Sequence, residues 1–218
     1  MNHHGSLSGE AARERALSKI RAEHQSLTAV RWSLQHLAER AGSGAGPDFE
    51  LFSIMIDYID LFPERFHHPK EDEYLFEALQ ARALEARWIV SDLTAEHAQG
   101  NRLIHDLRHA LALYRVTGEP GRAQFAAAVD AYVDFHWNHM RKEEDVVLPL
   151  AKRVLTDTDW QAIDAAFSTN EDPLFGLKPQ EAFRRLFDLI LELAPAPVGL
   201  GSARTGHRGE PSAVPSAP

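Results

Sequence analysis

The chain has 218 residues, a formal net charge of −9 and no cysteine. The missing thiols exclude disulfides, cysteine-ligated iron–sulfur clusters and zinc–thiolate sites, so any metal must be held by carboxylates and by some of its 12 histidines. The acidic balance, with no basic stripe, argues against a nucleic-acid partner and against docking on an anionic membrane.

Ala, Leu, Glu and Arg dominate, and no alternating Val/Ile/Thr run is bounded by turns, so an all-α chain is expected. A first helix is predicted from Leu7 to Ala41, with Leu17, Ile20, His24, Leu27, Arg31 and Leu34 on one stripe. The Gly42–Pro47 run ends it, and Asp48 can cap the next helix. This second helix continues towards Arg82. Pro63 and Pro69 interrupt it, which predicts a kink or re-registration beside His67. A third runs from Glu85 to Val116 with Val90, Leu93, His97, Gly100, Ile104 and Leu107 on its stripe. A fourth runs from Arg122 to Leu155 with Phe125, Val129, Tyr132, His136, His139, Glu143, Val146 and Leu150. Asp159 can cap a short helix through Phe167, a loop is expected over Asn170–Gly176, and a last helix over Pro179–Leu193. The expected architecture is an up-down-up-down four-helix bundle over 7–156. Short C-terminal helices come next over 157–194, and 195–218 read as a disordered tail. No stretch is apolar enough to span a membrane, and the first residues do not read as a secretory signal, so a cytoplasmic location is expected.

The two halves of the chain repeat each other. Ala22-Glu23-His24 returns as Ala95-Glu96-His97, and His67-x-x-Lys70-Glu71 returns as His139-x-x-Lys142-Glu143. A His and a Glu four residues apart on a helix lie about 6 Å apart along the axis and roughly 40° apart in rotation, so both can reach one ion. The candidate metal ligands are therefore His24, His67, Glu71, His97, His139 and Glu143. A single histidine on an apolar stripe is usually a core residue, but four buried imidazoles and two buried carboxylates without an ion would be costly. Such a donor set suits a pair of first-row transition ions.

Two positions leave alternatives. His68 and Asp72 stand in the same relation as His67 and Glu71, but the repeat aligns His68 with Met140 and so favours the latter pair. His136 is a further metal ligand, a hydrogen-bond partner of a ligand, or a core histidine. Asp72 and Glu144 are either partners of ligands or exposed acids.

With Glu23-His24, His67-His68-Pro69-Lys70-Glu71-Asp72-Glu73, Glu96-His97 and His139-Met140-Arg141-Lys142-Glu143-Glu144 followed by Leu148-Pro149, the chain resembles the hemerythrin-like, or HHE cation-binding, family over about residues 15–156. The resemblance implies a four-helix bundle with two irons, bridged by carboxylates and an oxo or hydroxo group. It also implies interaction with oxygen, peroxide or nitric oxide as the small-molecule partner, or service as an iron or oxygen sensor acting through a protein partner. The family's oxygen carriers have a second histidine where this chain has Asn101, and an aspartate where it has Glu144. Those departures imply a more open metal pair than a plain oxygen carrier has.

Overall fold

A computed structural model describes residues 3–42, 46–173 and 184–193, and within these the chain is helical, with no strand. Helix α1 spans His3–Arg40. Helix α2 spans Phe49–Phe62, and the Asp48 carboxylate accepts from the Leu51 N–H at 3.0 Å, as the sequence predicts. The second long run then widens into a π turn at Pro63–His67, one α-helical turn α3 (His68–Lys70), a second π turn at Glu71–Phe76, and α4 (Glu77–Arg82). A 3₁₀ turn at Leu84–Ala86 leads into α5 (Arg87–Thr117). Gly118, at φ 67°, makes the tight turn into α6 (Glu119–Lys142). A third π turn at Glu143–Val147 leads to α7 (Leu148–Val154), succeeded by α8 (Asp157–Phe167) and α9 (Arg184–Leu193). The expected tail at 195–218 lies outside the described residues, as do residues 174–176 of the expected loop and the start of the last predicted helix. No helix among the described residues is long and apolar enough to cross a membrane.

The expected re-registration beside His67 takes the form of the two π turns. Prolines contribute to them. Pro69 and Pro149 have no N–H to give the carbonyls of Arg65 and Asp145 four residues back. A π turn winds more residues per turn than an α-helix, so residues four apart stay on one face instead of drifting by about 40°. Glu71, Leu75 and Leu79 are accordingly all buried, and so are His139, Glu143, Val147 and Ala151. The same widening corrects one expectation: Val146 is 41% exposed, and Val147 takes its place in the core. A second correction concerns the cap of α8. Thr156 is the capping residue, accepting from the Asp159 N–H while the Asp159 carboxylate accepts from the Thr156 N–H.

Two apolar cores flank a polar layer. One core joins Leu27, Val30 and Leu34 of α1 with Phe52, Met55, Ile59 and Phe62 of α2, Ile104, Leu107 and Leu111 of α5, and Phe125, Val129 and Tyr132 of α6, with Leu186 and Ile190 of α9 against it. The other joins Leu17 and Ile20 with Leu75, Phe76, Leu79, Val90, Leu93, Val147 and Leu148, closed by Trp160, Ile163 and Phe167 of α8. On each long run, the residues between the two sets are those singled out by the sequence for metal chemistry.

Candidate metal centre

Helix α1 supplies His24, and α5 supplies His97. His139 comes from the end of α6, while the π turns supply His67, Glu71 and Glu143. All six are at most 6% exposed. The structure brings the whole predicted set together. Glu71 directs Oε1 at His24 Nε2 (3.6 Å) and His67 Nε2 (3.2 Å), and Oε2 at His97 Nε2 (3.6 Å). Glu143 directs Oε2 at His24 Nε2 (3.4 Å), and Oε1 at His139 Nε2 (3.0 Å) and His97 Nε2 (3.9 Å). Each carboxylate thus lies between two imidazole groups.

Among the described residues, two sets of donor atoms lie close enough to surround an ion: His24, His67 and Glu71 in one, and His68, Glu71, His97 and His139 in the other, each within 4.8 Å of one another. Glu71 belongs to both. His68 and His67 are therefore not alternatives. Both face inward, and the His68 ring stacks on that of His97 at 4.2 Å. His136 is fully buried one turn before His139 but belongs to neither set.

The outward ring nitrogens are held by carboxylates in a pattern that matches the repeat. Glu23 lies 2.7 Å from His67 Nδ1, and Glu96 lies 3.0 Å from His139 Nδ1. Asp72 lies 3.1 Å from His97 Nδ1, and Glu144 lies 2.9 Å from His24 Nδ1. Asp72 and Glu144 are thus partners of ligand candidates and not merely exposed acids. Glu64 lies 3.3 Å from His68 Nδ1. A carboxylate on Nδ1 fixes the tautomer that leaves Nε2 free to bind an ion. Sequence reasoning misses the roles of Glu23 and Glu96, although each immediately precedes a histidine of the repeat.

Segment 168–172, after α8, also reaches the site. The Asn170 side-chain amide donates to both Glu23 oxygens, at 3.1 and 3.0 Å, and Lys70 donates to Asn170 Oδ1. In the other half Lys142 engages Glu96 directly. The repeat is broken here, because Asn170 stands between Lys70 and Glu23.

The electrostatics are those of a site that needs cations. Burial pulls the imidazoles down, yet the carboxylates prevail. His97 rises to about 10 through Asp72 and Glu143, and His139 to about 9 through Glu143 and Glu96. His24 and His67 are raised for the same reason. Burial pushes Glu71 and Glu143 upwards, and Glu143 adds to this at Glu71, but the surrounding imidazoles hold both below the ordinary carboxylate range. His68 is driven well below its usual value by burial and by the neighbouring histidines.

Metal cations fit this donor set. His24 Nε2, His97 Nε2, His139 Nε2, both Glu71 oxygens and Glu143 Oε1 are buried without a hydrogen-bond partner. They face one another only across ion-pairing distances, and cations between the two groups would satisfy them all. The model of the hemerythrin HHE cation-binding domain matches residues 15–151.

The chain belongs to the hemerythrin HHE cation-binding family. As in the family at large, its inward residues are suited to holding metal cations. Among curated proteins, this hemerythrin-like chain is similar to uncharacterized proteins of Mycobacterium tuberculosis and Mycobacterium bovis. Each is 24% identical over 132 residues, covering 61% of this chain and 50% of the relative. The chain thus spans about half the length of the curated relatives it matches.

Proposed function

We propose that the chain holds two iron ions and meets oxygen, peroxide or nitric oxide there. One ion would sit among His24, His67 and Glu71, the other among His68, His97, His139 and Glu71, with Glu143 as the second carboxylate spanning the pair. The observation that carries this reading is the convergence of buried, unpartnered imidazole and carboxylate atoms in one layer between two apolar cores. Mixed imidazole and carboxylate donors suit iron among the first-row metals. Bound iron would supply the redox chemistry. The residues of the chain hold the donors in place. Glu23, Asp72, Glu96 and Glu144 orient four imidazoles, and the apolar cores keep water from the layer. His68 offers an imidazole from the preceding run where Asn101 occupies the position of the oxygen carriers' additional histidine. Asn101 instead donates to the His97 carbonyl at 3.3 Å.

The same reading includes an up-down-up-down order, supported by the way successive runs pass between the two cores. It also includes a bundle over 7–156 with an extension over 157–194, and a cytoplasmic setting. A second reading, a sensor acting through a protein partner, draws support from Asn170. That residue ties segment 168–172 to Glu23 and hence to His67.

The test is to purify the protein with iron, then record metal per chain and visible absorption before and after adding peroxide or nitric oxide. Two irons and a charge-transfer band that changes with the added ligand are expected. Stoichiometric iron without a response would favour the sensor. Failure to retain metal, with His97→Ala and Glu143→Ala acting as simple packing changes, would overturn both readings.

A further inference from the structure

We propose that Met140 is a site of reversible oxidation to the sulfoxide by hydrogen peroxide, and that Arg31 is a buried receptor for the oxygen it gains. Arg31 of α1 is 4% exposed, yet its Nη1 donates to a thioether, Met140 Sδ at 2.8 Å. A thioether sulfur is a weak acceptor, whereas a guanidinium taken out of water needs strong ones. The Tyr132 hydroxyl lies against the same guanidinium, but burial keeps it neutral. Met140 directly follows His139 and takes the place of His68 in the repeat. Where His68 turns to the metal layer, Met140 turns to α1.

Oxidation replaces the weak acceptor with a strong one. A sulfoxide oxygen carries a large partial negative charge, and hydrogen bonds with one ionised partner are roughly twice as strong as neutral ones. In an apolar setting that oxygen has no partner, which is why sulfoxides disrupt packing. Here a cationic donor already points at the sulfur. Thr28 Oγ1 lies 3.9 Å from Sδ, but its proton goes to the His24 carbonyl at 2.8 Å, so Arg31 is the principal donor. Met140 is half-buried and so open in part to a molecule as small as hydrogen peroxide, while Met55 is 0% exposed. One sulfur lone pair meets the Arg31 N–H, and the other attacks an oxygen of the peroxide. The S–O bond forms as the O–O bond breaks. Sulfur gives up two electrons, the departing hydroxide takes the proton of the transferred oxygen through solvent, and water is released. The three rotatable bonds of the side chain let the new oxygen swing towards Arg31. A methionine sulfoxide reductase, with a dithiol as reductant, returns the thioether and a second water.

The step needs no bound metal, so its test uses the metal-free full chain, and its failure would leave the metal reading untouched. The chain is treated with graded hydrogen peroxide, and its peptides are weighed by mass spectrometry. Met140 should gain one oxygen about tenfold faster than Met55, because burial shields a sulfur from oxidant. Protein oxidised at Met140 should melt at the same temperature as the reduced protein or above it. Arg31→Leu removes the donor, and its midpoint should fall on the same oxidation. If Arg31→Leu does not fold, the sulfoxide epimers made by the parent decide. With one lone pair turned to Arg31, the native protein should yield mainly one epimer, reduced after digestion by one of the two epimer-specific reductases, whereas protein oxidised while unfolded should yield both. The proposal is overturned if Met55 is modified first, or if the parent's midpoint falls on oxidation. It is equally overturned if that of folded Arg31→Leu does not fall, or if the native protein yields both epimers equally.

Discussion

Glu71 touches both imidazole groups, so its chemistry is felt on both sides of the layer, whereas His68 serves only one. Glu71→Gln should therefore lower metal retention at both positions. His68→Ala should lower it at one, which metal per chain after gel filtration will separate. Protons and metal ions also compete for the same ring nitrogens. In the metal-free chain His97 titrates at about 10 and His139 at about 9, so both carry a proton at neutral pH. An ion must displace these protons, so metal loading should release them and affinity should climb as pH rises towards those values. Calorimetric titration in two buffers of different ionisation enthalpy measures the release, and a buffer-independent heat would contradict the assignment. At this scale the repeat made His24, His67, Glu71, His97, His139 and Glu143 legible. It misjudged His68 as a rival of His67, because neighbouring residues on an ideal helix point about 100° apart. The wider winding of the local backbone allows both to face inward, and spacing rules for a regular helix do not encode it.

Among the elements, the long helices were readable from their stripes, and Asp48 was readable as a cap. The π turns were foreshadowed only by Pro63 and Pro69. Pro149 was not read in the same way in the fourth run, where regular helical spacing placed Val146 in the core instead of Val147. The cap of α8 was misassigned because Thr156 and Asp159 share the work, and the sequence alone does not say which of the two precedes the first turn. The most consequential element lies after the bundle. Asn170 binds Glu23, and Glu23 holds His67. Asn170→Ala should loosen His67 without removing a donor, lowering affinity for one of the two proposed ions about tenfold to a hundredfold, the range seen when such supporting groups are lost. Competition with a chelator of known affinity reads this directly. Unchanged far-UV circular dichroism would show that the fold is retained, and parental affinity for both ions would remove Asn170 from the site.

For the whole molecule, the polar layer has a consequence for how the chain comes apart. It separates two hydrophobic assemblies that share the long helices but few side chains. Without ions, the layer between them is a stratum of buried imidazoles and carboxylates, several of whose atoms lack a hydrogen-bond partner, weaker cement for the two halves than packed apolar side chains. Metal would join donors from every long run at one level. Metal-free protein should therefore lose its halves separately, in a broad or two-step thermal transition. The loaded protein should melt in one sharp step at a higher temperature, since ligands of the native state stabilise it by about 2.7 kcal/mol per site at a hundredfold excess over Kd. Hydrogen exchange resolved along the chain would reveal the difference. In the metal-free state, Leu17 and Leu93 should open with one set of amides and Leu34 and Leu107 with another. In the loaded state all four should open together. Ions in this layer would then decide whether the protein unfolds as one cooperative unit or as two.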